Sequence, residues 1–129
     1  MDKLKKAKEH LEAAEQFYTD GEQFYVWSVK EALRSVRCSL EHILSEAKLI
    51  YNERDDLMDL FRMLNNAGIR REWLTISRDV VCRLSIYEHK QVPTFYSVIN
   101  YPVPQWTLEE LKDVAGMLYK EASKCIVFA

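Results

Sequence analysis

One run of apolar residues constrains the fold of this chain more than any other feature. Between positions 26 and 50 the apolar residues follow one another at alternating steps of three and four, which places side chains on one face of an α-helix. A β-strand would instead need alternation at every second residue. The run therefore predicts one long amphipathic helix, with the stripe Val26, Val29, Leu33, Val36, Leu40, Ile43, Ala47 and Ile50.

Four shorter stripes with the same spacing predict further helices, which cover 4–20, 57–67, 73 to about 90, and 107–126. Glycines at 21 and 68 follow two of them, as is usual where a helix stops. Thr107 and Glu110 have the spacing of a capping box and predict the start of the last helix. The segment from Gln91 to Trp106 contains three prolines, which exclude a continuous helix and indicate an aromatic-rich loop. The remaining stripes are Leu4, Ala7, Leu11, Ala14 and Tyr18; Leu57, Leu60, Leu64 and Ala67; Trp73, Ile76, Val80, Leu84 and Tyr87; and Leu108, Leu111, Ala115, Leu118, Ala122 and Ile126.

The composition agrees with an all-α fold. The 129 residues include only three Gly and three Pro, too few for a turn-rich β-sandwich. A hydrophobic fraction of 48% is enough to bury a core without disulfides. We expect one domain over residues 1–129, an antiparallel bundle of four to five helices.

The net charge and the cysteines limit the classes of function that this chain can have. The formal net charge is -2, so any nucleic-acid contact must come from a local basic patch. Cys38, Cys82 and Cys125 are odd in number and far apart, which fits reduced, mostly buried thiols and a cytoplasmic protein. We see no signal peptide and no apolar run long enough to cross a bilayer. His10 and His42 lack a second ligand at metal spacing, so we predict no metal and no cofactor.

The strongest candidate for chemistry is the pair Arg83 and His89, near the end of the fourth predicted helix. A histidine can move a proton to or from an RNA oxygen, and an arginine can bind the phosphate. On an ideal helix, a separation of six residues leaves the two side chains roughly 120° apart. Either the helix ends near His89, or two chains contribute to one site.

At this motif the sequence resembles the HEPN family, whose signature is an Arg followed, after four to six residues, by a His in a compact helical bundle. The resemblance covers nearly the whole chain, because the order of a long second helix, a short third helix, the motif helix and a final helix also matches. It implies a metal-independent endoribonuclease in which Arg83 and His89 form the catalytic pair across a homodimer interface. Ile86 would lie in or beside that interface.

The resemblance also implies an RNA substrate and a role as the toxin or effector of a toxin–antitoxin or defence system, with a nucleotidyltransferase-type antitoxin as partner. The sequence departs from the family at two positions. Leu84 stands where many members carry a polar residue, and Gln91 stands where toxin members carry a tyrosine that the partner modifies. A non-catalytic bundle that binds RNA, a nucleotide or a protein is the alternative. In a purely structural interpretation, Arg83 is solvated and His89 is a favourable positive group at a helix C-terminus.

Further residues are candidates for supporting roles. Lys30, Arg34 and Arg37 share one face of the second helix and are candidates for holding an RNA phosphate backbone, or are simply the solvated face of that helix. Glu41 is a candidate for orienting Arg83, and Tyr87 lies within the motif. Loop aromatics are candidates for stacking on unpaired bases or for covering the core, and these are Phe95, Tyr96, Tyr101 and Trp106.

Overall fold

The computed structural model describes residues 2–88 and 103–124, and within them the chain forms five α-helices and no strand. Two 3₁₀ turns accompany the helices, at Glu22–Phe24 and Ser85–Glu88. The prediction of an all-α bundle is confirmed. The helices are α1 (Lys3–Asp20), α2 (Tyr25–Glu46), α3 (Leu57–Asn66), α4 (Glu72–Leu84) and α5 (Gln105–Ser123).

The long helix α2 is the centre of the bundle and packs against α1, α3 and α5. Its predicted stripe is buried from Val26 to Ile43. The contact with α1 is close because small residues face each other there. Ser28 Oγ donates to the Ala14 carbonyl at 2.6 Å, and Ser35 Oγ donates to the Ala7 carbonyl at 2.8 Å. All four of these residues are fully buried, so the serine hydroxyls are satisfied without water.

The prediction that the long helix reaches Ile50 is wrong. Helix α2 ends at Glu46, and Lys48 adopts a left-handed conformation with a φ of 58°. The amide of Leu49 then donates to the Leu44 carbonyl at 2.9 Å, the pattern of a Schellman motif. This turn packs Leu49 against the core and leaves Ile50 95% exposed.

The predicted start of the last helix is also wrong. Helix α5 begins at Gln105, and Thr107 is buried within its first turn. Pro104 is the N-cap residue, with an extended ψ of 138°, and its carbonyl accepts the Leu108 amide at 3.1 Å. A capping box is present instead at the start of α3, where Asp56 and Asp59 satisfy each other's backbone amides.

The buried face of α4 differs from the predicted stripe. Leu74, Ser77, Val81 and Leu84 face the core together with Val80, whereas Ile76 is 46% exposed. The stripe chosen from the sequence follows apolar residues alone and therefore passes over Ser77, whose hydroxyl is satisfied by the Trp73 carbonyl at 2.7 Å. Ile126, at the end of the last stripe, lies outside the described residues.

The two described cysteines differ in exposure. Cys38 is buried as predicted, but Cys82 is exposed because it lies on the outer face of α4. Cys125 lies outside the described residues. In residues 2–88 and 103–124, no helix has both the length and the apolar character needed to cross a membrane.

Thiol labelling should separate these two cysteines. Burial raises the pKa of the Cys38 thiol, and the nearby Glu41 carboxylate acts in the same direction. Because the thiolate is the reactive form, in a Cys125→Ser background we expect Cys82 to react at least about 100-fold faster than Cys38 in the native state. Both thiols should react rapidly in urea. Equal native-state rates would show that Cys38 is accessible.

Candidate functional site

Arg83 lies on the last turn of α4 with its side chain 48% exposed. Its Nε donates to the Asp79 carbonyl at 3.4 Å, and its Nη1 lies 3.3 Å from Glu110 Oε1 of α5. Glu110 is itself 41% exposed, so this is a surface ion pair. The guanidinium is therefore held near the α4–α5 contact while half of the side chain faces solvent. His89, its predicted partner, lies outside the described residues.

The segment between these two positions is not a continuation of α4 as a regular helix. The sequence predicts a helix to about Lys90, but α4 ends at Leu84 and the chain tightens into the 3₁₀ turn Ser85–Glu88. A 3₁₀ helix has three residues per turn instead of 3.6, so the side chains after Leu84 point in different directions from those expected for an α-helix. The angle of roughly 120° between Arg83 and His89 therefore does not apply to this chain.

Three polar contacts anchor the 3₁₀ turn to the bundle. Lys30 Nζ donates to the Tyr87 carbonyl at 3.4 Å. Arg37 Nε lies 3.4 Å from Glu88 Oε2, and Glu88 Oε1 accepts the amide of Leu57 at 3.3 Å. The Glu88 carboxylate thus lies at the N-terminus of α3, where negative charge is favoured. These contacts fix the end of the motif helix to α2 and α3.

The three basic residues predicted to share one face of α2 have different environments. Arg34 has a side chain 55% exposed and pairs with Glu31 at 2.8 Å. Lys30 is half-buried, and burial, with a smaller effect of the Arg34 charge, lowers its pKa. Arg37 has a side chain only 17% exposed. The structure therefore places two of the three beside the 3₁₀ turn and leaves Arg34 as the solvated member.

Arg37 is the centre of a partly buried ionic network. Besides Glu88, it contacts Glu41 Oε2 at 3.4 Å and donates to the Asp55 carbonyl in the connection before α3. Glu41 is 3% exposed, and its other oxygen lies 3.0 Å from Lys3 Nζ. Although burial opposes the shift, the Glu41 carboxylate raises the pKa of Lys3.

The ion-pair partners of Glu41 and Arg83 therefore differ from the prediction, in which Glu41 is a candidate for orienting Arg83. Glu41 pairs with Lys3 and Arg37, whereas Arg83 pairs with Glu110. Sequence reasoning missed Lys3 and Glu110. The sequence marks Glu110 only as part of a predicted capping box and does not mark Lys3, because each reaches the site from a helix distant in the chain.

A cleft of about 390 Å³ opens beside the 3₁₀ turn, between it and the start of α3. Its lining includes the carboxyl groups of Asp56, Asp59 and Glu88, with Arg62 the only basic residue among the described ones. Arg62 is already paired with Asp59 at 2.6 Å. The lining is thus predominantly acidic, and a phosphate would be repelled from this cleft.

Trp106 is the one loop aromatic that the structure describes, and it lies in the first turn of α5 with 62% of its surface exposed. It does not cover the core at this position. Phe95, Tyr96 and Tyr101 lie outside the described residues, as does Gln91. Within residues 2–88 and 103–124, no three His, Cys, Asp or Glu side chains form a group able to hold a metal ion.

The chain matches no protein-family model, no curated protein and no solved structure. Its function is therefore inferred from the residues and their geometry.

Proposed function

We propose that this protein is a HEPN-like homodimeric endoribonuclease that works without a metal, with Arg83 and His89 as its catalytic pair. The observation that carries the proposal is the position of Arg83. Its side chain is half exposed at the end of α4, six residues before His89, and the intervening 3₁₀ turn is anchored to α2 and α3. An exposed arginine on a fixed helix end suits the binding of a phosphodiester.

The ion pair with Glu110 does not prevent this role. An exposed pair of this kind contributes about 0–1 kcal/mol, because water solvates both partners. Arginine binds phosphate through two parallel N–H···O bonds, which are stronger than the single contact at 3.3 Å in the free protein. A phosphate is thus able to displace the Glu110 carboxylate at little cost.

The outer face of α4 supports dimerisation. Ile76 is seven residues before Arg83 and therefore on the same face of the helix, and it is 46% exposed. Ile86 follows Arg83 by three residues and is 66% exposed. A symmetric contact through the outer face of α4 would bury Ile76, whereas Ile86 lies in the 3₁₀ turn and lines the cleft beside α3. Such a contact would bring the catalytic pairs of the two chains together.

In the proposed reaction, His89 takes the proton from the RNA 2′-hydroxyl or returns a proton to the leaving 5′-oxygen. Arg83 binds the phosphate and offsets the charge that develops on it. Lys30 and Arg37 act indirectly, since they hold the backbone of Tyr87 and the side chain of Glu88. The toxin or effector role and the nucleotidyltransferase-type partner are part of the same proposal and rest on the family resemblance.

The first test is the solution mass, measured by light scattering at several protein concentrations. The proposal requires a dimer, and a monomer at every concentration would exclude a site shared between two chains. The second test is cleavage of a labelled RNA in the presence of EDTA. We expect Arg83→Ala and His89→Ala each to slow cleavage by about 10²-fold or more.

Arg62→Ala is the matched control, because Arg62 is an exposed arginine, 65% accessible, on a different helix. It should cleave RNA at the wild-type rate. All three variants should keep the wild-type circular dichroism spectrum and mass. A dimer that binds RNA but does not cleave it would contradict the enzyme and favour the non-catalytic bundle.

A further inference from the structure

A second cationic site lies at the opposite end of α4 from Arg83. A cavity of about 120 Å³, open to solvent on one side, lies between the end of α3 and the first two turns of α4. Three arginines line it, Arg70, Arg71 and Arg78, and no carboxylate is among its described lining residues. The whole chain has a formal charge of -2, so this cavity concentrates positive charge in an otherwise acidic protein.

The local geometry explains why these arginines meet. Arg71 is the N-cap residue of α4, and Arg78 follows seven residues later, so both lie on one face of the helix. Thr75 lies between them on that face and also lines the cavity, and Asn65 lines it from the last turn of α3. Gly68, with a φ of 82°, turns the chain so that Arg70 reaches the same place.

Among the described residues, the positive charges of Arg70 and Arg78 are not neutralised by strong ion pairs to carboxylates. Arg70 is exposed and forms no ion pair with a described residue. Arg78 lies 3.7 Å from its neighbour Asp79, and the two side chains are 46% and 65% exposed. A contact of this length at the surface is weak. At least two guanidinium groups are therefore available to an anion from outside.

The size of the cavity indicates the kind of anion. Clefts that bury a whole drug-sized ligand measure about 300–1,000 Å³, so a cavity of 120 Å³ suits a single group. The planar fork of arginine matches the oxygens of a phosphate, and Thr75 and Asn65 add neutral hydrogen-bonding groups. We propose that the cavity at Arg70, Arg71 and Arg78 binds one phosphate group, supplied by an RNA strand or by a free phosphate compound.

This site is distinct from the proposed catalytic site. Arg71 lies twelve residues before Arg83, about 18 Å along an α-helix, and Arg78 lies five residues before it, about 8 Å along the axis and roughly 140° around it. Phosphate binding at the cavity requires neither His89 nor dimerisation, and it is measured without cleavage. Failure of the ribonuclease proposal would therefore leave this one intact, and the reverse is also true.

The experiment is a titration of the ¹⁵N-labelled full-length protein with inorganic phosphate at low ionic strength, followed by NMR. We expect saturable shifts at the amides around the cavity, including those of Ile69, Leu74 and Thr75. Arg70→Gln with Arg78→Gln should weaken binding by about tenfold or more, because two charge-assisted donors are lost. The control Arg54→Gln removes one exposed arginine from the loop before α3, and it should leave the affinity unchanged.

A second set of titrations identifies the source of the phosphate. The probes are short 2′-O-methylated RNAs with a 5′-hydroxyl or a 5′-phosphate, which lack the free 2′-hydroxyl needed for cleavage. If the double variant weakens the binding of both RNAs, the site binds backbone phosphates. If it weakens only the binding of the RNA with a 5′-phosphate, the site binds a terminal phosphate. The proposal is overturned if phosphate shifts amides elsewhere only, or if Arg54→Gln weakens binding as much as the double variant does.

Discussion

Replacing Arg37 with alanine should lower the free energy of unfolding by about 3–5 kcal/mol, which is the usual cost of removing one partner from a buried ion pair. The Arg37 side chain is 17% exposed and contacts Glu41, Glu88 and the Asp55 carbonyl. Its loss leaves Glu41, whose side chain is 4% exposed, with Lys3 as its remaining ion-pair partner among the described residues. Urea denaturation monitored by circular dichroism measures the effect.

Arg34→Ala is the matched control for that variant. Arg34 lies one turn earlier on the same helix, but its side chain is 55% exposed and pairs with Glu31 at the surface. Its removal should cost less than about 1 kcal/mol. If both variants lost similar amounts of stability, the burial of the Arg37 network would be refuted. Arg37→Lys should fall between them, since it keeps the charge but loses the planar fork that reaches several acceptors at once.

The second large effect on stability is expected from a comparison of two isoleucines in the stripe predicted for the long helix. Ile43 is 1% exposed in the core, and Ile50 is 95% exposed beyond the end of α2. Ile43→Ala should therefore lower the free energy of unfolding by about 2–5 kcal/mol, because it removes buried apolar surface and leaves a cavity. Ile50→Ala should change the stability by less than about 0.5 kcal/mol, as surface substitutions usually do. The same urea titrations measure both.

The comparison of Ile43→Ala with Ile50→Ala tests where α2 ends. A helix that continued to Ile50 would place both isoleucines on one buried face, and the two variants would then be destabilised by similar amounts. A large effect of Ile43→Ala alone supports the turn at Lys48.

The prediction of helix ends succeeded where the sequence contains the usual residue for the geometry. Gly68 ends α3 with a φ of 82°, and the amide of Ile69 donates to the Leu64 carbonyl at 3.0 Å. Helix α2 ends with the same hydrogen-bonding pattern, but Lys48 occupies the left-handed position. A lysine there carries no sequence signal, because residues with a Cβ rarely adopt this conformation. The turn is stabilised by the packing of Leu49, which is a tertiary contact.

In the candidate site, too, the sequence predicts the local feature but not the contacts between distant segments. The spacing of Lys30, Arg34 and Arg37 correctly predicts a common helix face, but it does not indicate that Arg37 is largely buried. That burial depends on Glu88 and the Asp55 carbonyl, which reach Arg37 from other segments. Likewise, the partner of Arg83 is Glu110, 27 residues away in sequence.

By itself, the sequence determined the fold class, most of the buried face of α2 and the position of Arg83 near the end of the fourth helix. These follow from periodicity, which is a local property of the chain. Only the tertiary structure decided where α2 and α4 stop, which charges are buried and which three arginines line one cavity. Those outcomes depend on contacts between residues far apart in sequence, and the energy of such contacts is set when the helices pack together.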